Sequence, residues 1–497
     1  MDKKNMEVLH GSLNRTDVKT ASALRDLLHE ADAKSAPAKD GALSARERIT
    51  MFFDEGTFVE TGAYVTRRIS EFDADAPDVF EGVICGWGSV NGKLVYAFSQ
   101  DIARTKGSVS EAHARKICEI YRLACENGAP VVGILDSAGA YLPEGVRALA
   151  GYGQIMRSIS MASGVVPQIA IIPGIAEGAA AVMAGMFDFV VMANGTVSVT
   201  PPFVLGKAAD AAETGIAALC EKDDTSAIDA ARTLINYLPS NNAEGTAEIM
   251  TADEVNRHAD ISAYAGKREA ACLITAAADD GKYLELYKAY ASEVSTGFLS
   301  IGGIVCGIVA NDYSVNGGTL TPLAARKAAK MVSFCDAFNI PVVTFVDSKG
   351  TSAALSAENA PYAAEIGKLA NAYASARTPV ITLISGEAYG TVFAVMGSKA
   401  LGADVVLALD TAKVGCMNAA SAVAFLWNDK ITGSVTRDQL EKEWDETVGS
   451  PVEAARAGEI DDIIASEEIR QRIAAYVIML QAKSKTAPVR RHINMPL

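Results

Sequence analysis

Two kinds of apolar pattern alternate along this chain. Short continuous runs such as "LVYAFSQD" (94–101), "PVVGILD" (130–136) and "PQIAII" (167–172) carry Val, Ile and Leu with little polar relief. Runs of this kind predict strands in sheets covered on both faces. Between them lie longer stretches with apolar residues at helical spacing. One starts near Ser110, a favourable N-cap, and stops near Gly128, a favourable C-cap. The order is strand, Gly-containing loop, helix, buried strand, loop, helix, second strand, then the glycine-rich "GIAEGAAAVMAG" (174–185).

The same order returns in the second half. "GGIVCGIVAND" (302–312) leads into a helix from about Thr321 to Asn339, then "PVVTFVD" (341–347), "PVITLI" (379–384) and "GEAYGTVFAVMG" (386–397). The match extends to single residues. Lys116, Pro130, Asp136, Ser137 and Gly139 align with Lys327, Pro341, Asp347, Ser348 and Gly350. Gly174, Ala176, Gly178 and Gly185 align with Gly386, Ala388, Gly390 and Gly397. A repeat in register over this span predicts two homologous α/β domains, 1–240 and 250–497. The polar segment 238–260 is expected to link them.

The 497 residues suit two such domains. A formal charge of −15 argues against nucleic acid or an anionic membrane surface as a main partner. Eight cysteines stand singly, with no CxxC pair, and read as mostly buried free thiols in a cytoplasmic protein. The five histidines are scattered, so no local metal motif exists and no metal is expected. The N-terminus has no apolar core of a signal peptide. The most apolar region, 165–192, is broken by Gln168, Glu177, Asp188 and two prolines, against a membrane span.

Chemistry is expected at the two glycine stretches. A helix start leaves backbone N–H groups without intrahelical partners, and these attract an oxyanion. Small residues let a ligand carbonyl reach them, as at Gly178 and at Gly390. No nucleotide-binding glycine loop and no GxSxG elbow is present. Ser137 and Ser348 read as loop hydroxyls, and Asp136 and Asp347 as braces of the same loops. His113 reads as a surface or capping residue, and Lys116 and Lys327 as solvated helix positions.

"SARERITMFFDEGTFVE" (44–60), "FSQDIARTKGSVSEAHARKI" (98–117), "DSAGAYLPEGVRALAGYGQI" (136–155), "FCDAFNIPVVTFVD" (334–347) and the terminal "HINMPL" together resemble the carboxyltransferase subunit of biotin-dependent acyl-CoA carboxylases and sodium-exporting decarboxylases. The resemblance implies two tandem crotonase-like domains, each a β-β-α spiral, and a homohexamer with sites between the N-half of one subunit and the C-half of another. It implies transfer of a carboxyl group between carboxybiotin and the α-carbon of an acyl-CoA, using two backbone oxyanion holes.

Carried onto this chain, Gly178 and Ala179 serve the acyl-CoA carbonyl, and Thr391 and Val392 serve biotin. Ala138, Gly139, Gly174, Gly390 and Ala394 line the ligands. Thr391 replaces a family glycine, Ala394 an aspartate linked to acyl choice, and the loops 347–358 and after 200–206 also depart. No biotinylated lysine motif or ATP-using region is present. The implied partners are therefore a biotin carboxyl carrier protein and either a biotin carboxylase or a membrane decarboxylase subunit, which would place the protein beside a membrane. A biotin-independent crotonase-type hydratase or isomerase is the alternative; it would draw its acids from Glu177 and Glu387.

Overall fold

The computed structural model describes residues 21–33, 42–68, 80–200, 206–352, 358, 361–432 and 434–484. The N-terminal stretch, the tail "HINMPL", the loop after Thr200 and much of the loop 347–358 lie outside these. The chain divides into two compact units, Met1–Asn241 and Asn242–Leu497.

The first unit holds β1 (Val59–Thr61), β2 (Val83–Val90), β3 (Lys93–Gln100), β4 (Val131–Ile134), β5 (Gln168–Ile172), β6 (Ile175–Glu177), β7 (Phe189–Met192), β8 (Thr196–Ser198) and β9 (Leu219–Cys220). Its main sheet runs β1-β2-β3-β4-β5-β7-β9. The first three strands are antiparallel, and the others join in parallel. β6 and β8 form a separate parallel pair. The β2–β3 hairpin turns at Asn91 and Gly92, with φ of 51° and 81°. Such φ values suit the twist of the strands they join, and Asn-Gly supplies them cheaply.

The second unit holds β10 (Tyr283–Leu286), β11 (Val294–Ile301), β12 (Ile304–Asn311), β13 (Val342–Ser348), β14 (Val380–Tyr389), β15 (Val405–Leu409), β16 (Lys413–Gly415) and β17 (Asp462–Ile464). The order β10-β11-β12-β13-β14-β15-β17 repeats the first unit, again antiparallel then parallel. Here one long strand, β14, spans what β5 and β6 do separately. Its last three residues pair with β16 as β6 pairs with β8.

All four residues of β4 and all seven of β13 are buried, as their unbroken apolar runs require. Each strand is reached from a helix, Glu111–Asn127 or Pro322–Ala337, capped by the hydroxyl of Ser110 or Thr321. Those hydroxyls also donate to glutamates from the segment ahead, Glu81 and Glu293. Gly128 closes the first helix in the left-handed region, at φ 62° and ψ 48°.

Four expectations change. The segment 238–260 is not a free tether. Ile249 N–H donates to Gly303 O and Val305 N–H to Ala247 O, so it edges the β11–β12 hairpin of the second unit. Lys116 and Lys327 are buried, not solvated. Their ammonium groups donate to Val83 O, and to Tyr287 O and Tyr290 O, at the ends of neighbouring segments. Burial lowers the Lys327 pKa to about 8. His113 is also buried. Its ring lies against Gln100 and Glu81, and burial holds its pKa down to about 3. The cysteines are all free, but only Cys85, Cys306 and Cys335 are buried, while Cys220 and Cys416 are exposed.

Candidate active site

The site is built where the parallel strands end. In the first unit β4 runs out into Asp136 and Ser137. Ser137 N–H donates to Ile175 O at 2.6 Å and Glu177 N–H to Ser137 O at 3.2 Å, which ties β6 to this loop. The chain then turns at Gly178, with φ 59° and ψ −122°, and starts the short helix Ala179–Ala184. In the second unit Ser348 pairs with Ala388, the chain turns at Gly390 with φ 54° and ψ −125°, and the helix Thr391–Val395 begins. The two turns agree within a few degrees. Only glycine populates this mirror image of extended backbone readily.

Each turn glycine gives its own N–H to a strand. Gly178 donates to Ser198 O at 2.8 Å and Gly390 to Gly415 O at 2.9 Å. Those two N–H groups are therefore engaged within the chain, and what the two glycines set is the conformation of the turn. The first residues of a helix have no intrahelical acceptor, so the open N–H groups begin at Ala179 and Thr391. Thr391 and Ala394 are exposed and lie one helical turn apart. Val392 is buried with its side chain in the core, so its β-branch does not crowd the turn.

The other residues expected to line the ligands have partners within the chain. Ala138 N–H donates to Lys106 O at 3.1 Å, and Gly139 N–H to the Ser137 hydroxyl at 3.2 Å. Both donors are engaged within the chain. The role of Ser137 and Ser348 as loop hydroxyls holds, since Gly350 N–H meets Ser348 Oγ at 3.1 Å. Gly174 is needed by the protein itself: a Cβ there would lie 2.0 Å from Asp136 Oδ1. Asp136 and Asp347 brace the turns, as their sequence position suggests, through Ile175 N–H at 3.1 Å and Glu387 N–H at 2.9 Å.

Their arginine partners, Arg48 and Arg268, escaped the sequence reading, because they come from segments far upstream of the glycine stretches. Arg48 does lie in "SARERI", whose Ser44 and Glu47 form a capping box that signals a helix start. Tyr264 donates to Asp347, and burial with that neighbouring charge pushes its pKa well up. Glu387, weighed as an acid for hydration chemistry, accepts from Arg268 Nη1 at 3.1 Å and Tyr313 OH at 3.2 Å. A cavity of about 650 Å³ opens beside it, lined by Tyr264, Arg268, Ser385, Gly386 and Lys413 among others. Among the described residues no group of three His, Cys, Asp or Glu side chains is placed to hold a metal. Among them, too, no helix is long and apolar enough to cross a membrane.

A duplicated fold with a glycine-set helix start at the same point of each half is the crotonase-like arrangement. A carboxyl transferase domain model matches residues 37–495. The chain is 38% identical over 485 residues to methylmalonyl-CoA decarboxylase subunit alpha of Propionigenium modestum, covering 92% of this chain and 94% of that one. It is 35% identical over 489 residues to the propionyl-CoA carboxylase beta chain of Roseobacter denitrificans, with the same coverage. A solved structure of the transcarboxylase 12S hexamer core, with methylmalonyl-CoA bound, superposes with a TM-score of 0.91 at 30% identity, covering 97% of this chain and 99% of that one. The chain belongs to the carboxyl transferase family. It is a carboxyltransferase of the propionyl-CoA carboxylase and methylmalonyl-CoA decarboxylase type.

Proposed function

We propose that the turn at Gly178 and Ala179 receives the thioester oxygen of an acyl-CoA, and that the turn at Gly390, Thr391 and Val392 receives the ureido oxygen of biotin. Removing or adding a carboxyl group at the α-carbon pushes negative charge onto the thioester oxygen. An N–H fixed beforehand at that oxygen stabilises the charge without reorganisation, typically by about 3 kcal/mol per donor. The positive end of a helix adds to it. Biotin supplies a carbamate-forming nitrogen and arrives on a separate carrier protein. The observation that carries this reading is the near-identity of the two turns, each followed at N1 by a residue whose N–H is open.

Ala394, on the open face one turn beyond Thr391, is placed to meet the ligand there. Its small side chain leaves room where an acidic one would select among acyl groups. The partners in this reading are a biotin carboxyl carrier protein and either a biotin carboxylase or the membrane subunit of a decarboxylase. The assembly is a homohexamer like that of the transcarboxylase core. The decarboxylase subunit is the alternative reading, with a methylmalonyl-CoA decarboxylase subunit alpha among the relatives at 38% identity.

The test mixes purified protein with free biotin and a panel of malonyl-type CoA esters. Biotin-dependent decarboxylation of at least one ester is expected. Failure with all of them, together with no binding to a biotinylated carrier, would overturn the reading.

A further inference from the structure

The same buried device lies beneath both turns. Asp136 and Asp347 are each 1% exposed. Each accepts the N–H of the residue three positions ahead of its turn glycine, Ile175 or Glu387. Each is also gripped by one arginine. Arg48 Nη1 donates to Asp136 Oδ2 at 2.7 Å, and Arg268 Nε to Asp347 Oδ2 at 2.9 Å, with a second bond to Oδ1. One residue earlier the chain has glycine both times. A Cβ at Gly174 or Gly386 would lie 2.0 or 2.2 Å from the carboxylate. The backbone thus passes over the carboxylate at a distance that no other residue permits.

We infer that Asp136 with Arg48, and Asp347 with Arg268, are positioning residues that separately aim the two turns. This rests on the oxyanion reading above and deepens it. Charge-assisted hydrogen bonds are short and directional, and a buried carboxylate released from its arginine is unstable. The peptide it holds is therefore fixed in orientation. From that peptide to Ala179 or Thr391 the chain is a short strand pinned on its other side by β8 or β16. A rotation at the base of that strand is delivered to the N–H at its end. Misplacing a reacting group by 1 Å costs on the order of a hundredfold in rate.

The two devices differ in how they are closed. The Arg48 side chain is 3% exposed, and its other face holds Asp224 at 2.9 Å. That seals the first device between two carboxylates. The Arg268 side chain is 28% exposed, borders the cavity, lies 3.2 Å from the centre of the Tyr313 ring, and gives a third donor, on Nη1, to Glu387. The second device thus holds its turn strand at two points, Glu387 N–H through Asp347 and the Glu387 side chain directly. Its openness makes it the more tolerant of substitution.

The test uses the full-length protein with methylmalonyl-CoA and free biotin as probes, measuring kcat and both KM values, with thermal unfolding alongside. Asp347→Asn keeps the shape and the acceptor but loses the charge. It is expected to lower kcat by about tenfold or more and to raise KM for biotin, leaving KM for the CoA ester within about twofold. Asp136→Asn is expected to give the opposite split. Arg268→Lys, which retains the charge, is expected to keep most of the activity that Arg268→Met loses. Gly386→Ala displaces the carboxylate without changing any charge and should repeat the Asp347→Asn split. That keeps the test open if an aspartate variant folds poorly. Variants that change both KM values equally, or that lose only thermal stability, would overturn the inference while wild-type activity upheld the functional reading. A wild-type protein inactive on the ester panel would remove that reading and this inference with it.

Discussion

The matching backbone of the two turns makes a quantitative demand on glycine. Gly178 and Gly390 hold φ of 59° and 54° with ψ of −122° and −125°. A Cβ at Gly178 would meet nothing within 4 Å, and one at Gly390 would meet only Cys416 O at 3.3 Å. Space therefore does not forbid alanine; conformation does. Holding a non-glycine residue in such a region costs about 1–3 kcal/mol. For a unit of this size that lowers Tm by roughly 2–12 °C.

Strain of that size also relaxes the turn, so the N–H that follows it swings away, and the loss of one such donor lowers kcat by about 10²-fold or more. Gly178→Ala and Gly390→Ala are thus expected to lose both stability and rate, by similar amounts, because their geometries coincide. Gly92→Ala is the control. Gly92 also has positive φ, 81°, and open space for a Cβ, but it lies in the β2–β3 hairpin. It should lose Tm and keep kcat. Thermal unfolding and steady-state decarboxylation of a malonyl-type CoA ester measure both quantities. A Gly178→Ala enzyme with kcat within about threefold of wild type, beside a lowered Tm like that of Gly92→Ala, would refute the claim that this turn aims a reacting N–H.

Ala179→Pro removes the proposed donor at a helix position that proline suits; kcat should fall about 10²-fold with Tm within a few degrees, and a retained kcat would transfer the role to another group. Arg470, wholly buried, donates to Ala277 O at 2.8 Å and Asp279 at 2.6 Å. Arg470→Ala should destabilise the second unit by about 3–5 kcal/mol in urea unfolding, since the Asp279 charge is left buried without its arginine, and a loss under about 1 kcal/mol would contradict that. His113 is kept neutral by burial, with its pKa lowered to about 3. The unfolded chain then takes up a proton between about pH 6.5 and 3 that the folded one refuses. The stability this group permits is complete above pH 6.5 and falls as pH drops, by up to about 1.4 kcal/mol per unit. Unfolding of His113→Gln at pH 7, 6 and 5 should show a shallower fall than wild type; equal slopes would mean that His113 is protonated in the fold.

The repeat of Pro-Val-Val and Asp-Ser makes the two units legible in the sequence, because buried parallel strands need unbroken apolar runs and β4 and β13 have them. The glycines at 178 and 390 were legible for the same reason in reverse: few other residues could stand there. What escaped was the interior polar layer. Lys116, Lys327 and His113 look like solvent residues, and only the fold reveals the carbonyls and the Glu81 side chain waiting for them. Arg48 and Arg268 reach their aspartates across 88 and 79 residues of chain. No local pattern records a partner at that distance. The engagement of the Ala138 and Gly139 N–H groups by Lys106 O and the Ser137 hydroxyl was likewise invisible in the sequence, since the Lys106 partner lies on a different loop.

One consequence of the Gly390 turn concerns how such a protein changes over time. Under the proposed function its recognition is written in the path of the main chain, so the letter at position 391 is free to drift: threonine offers the same N–H as glycine. The stringent positions are those that shape the path, namely the glycine, the carboxylate below it and the small residue that lets the chain pass. A family member can therefore lose the familiar spelling of its active site and still keep the grammar.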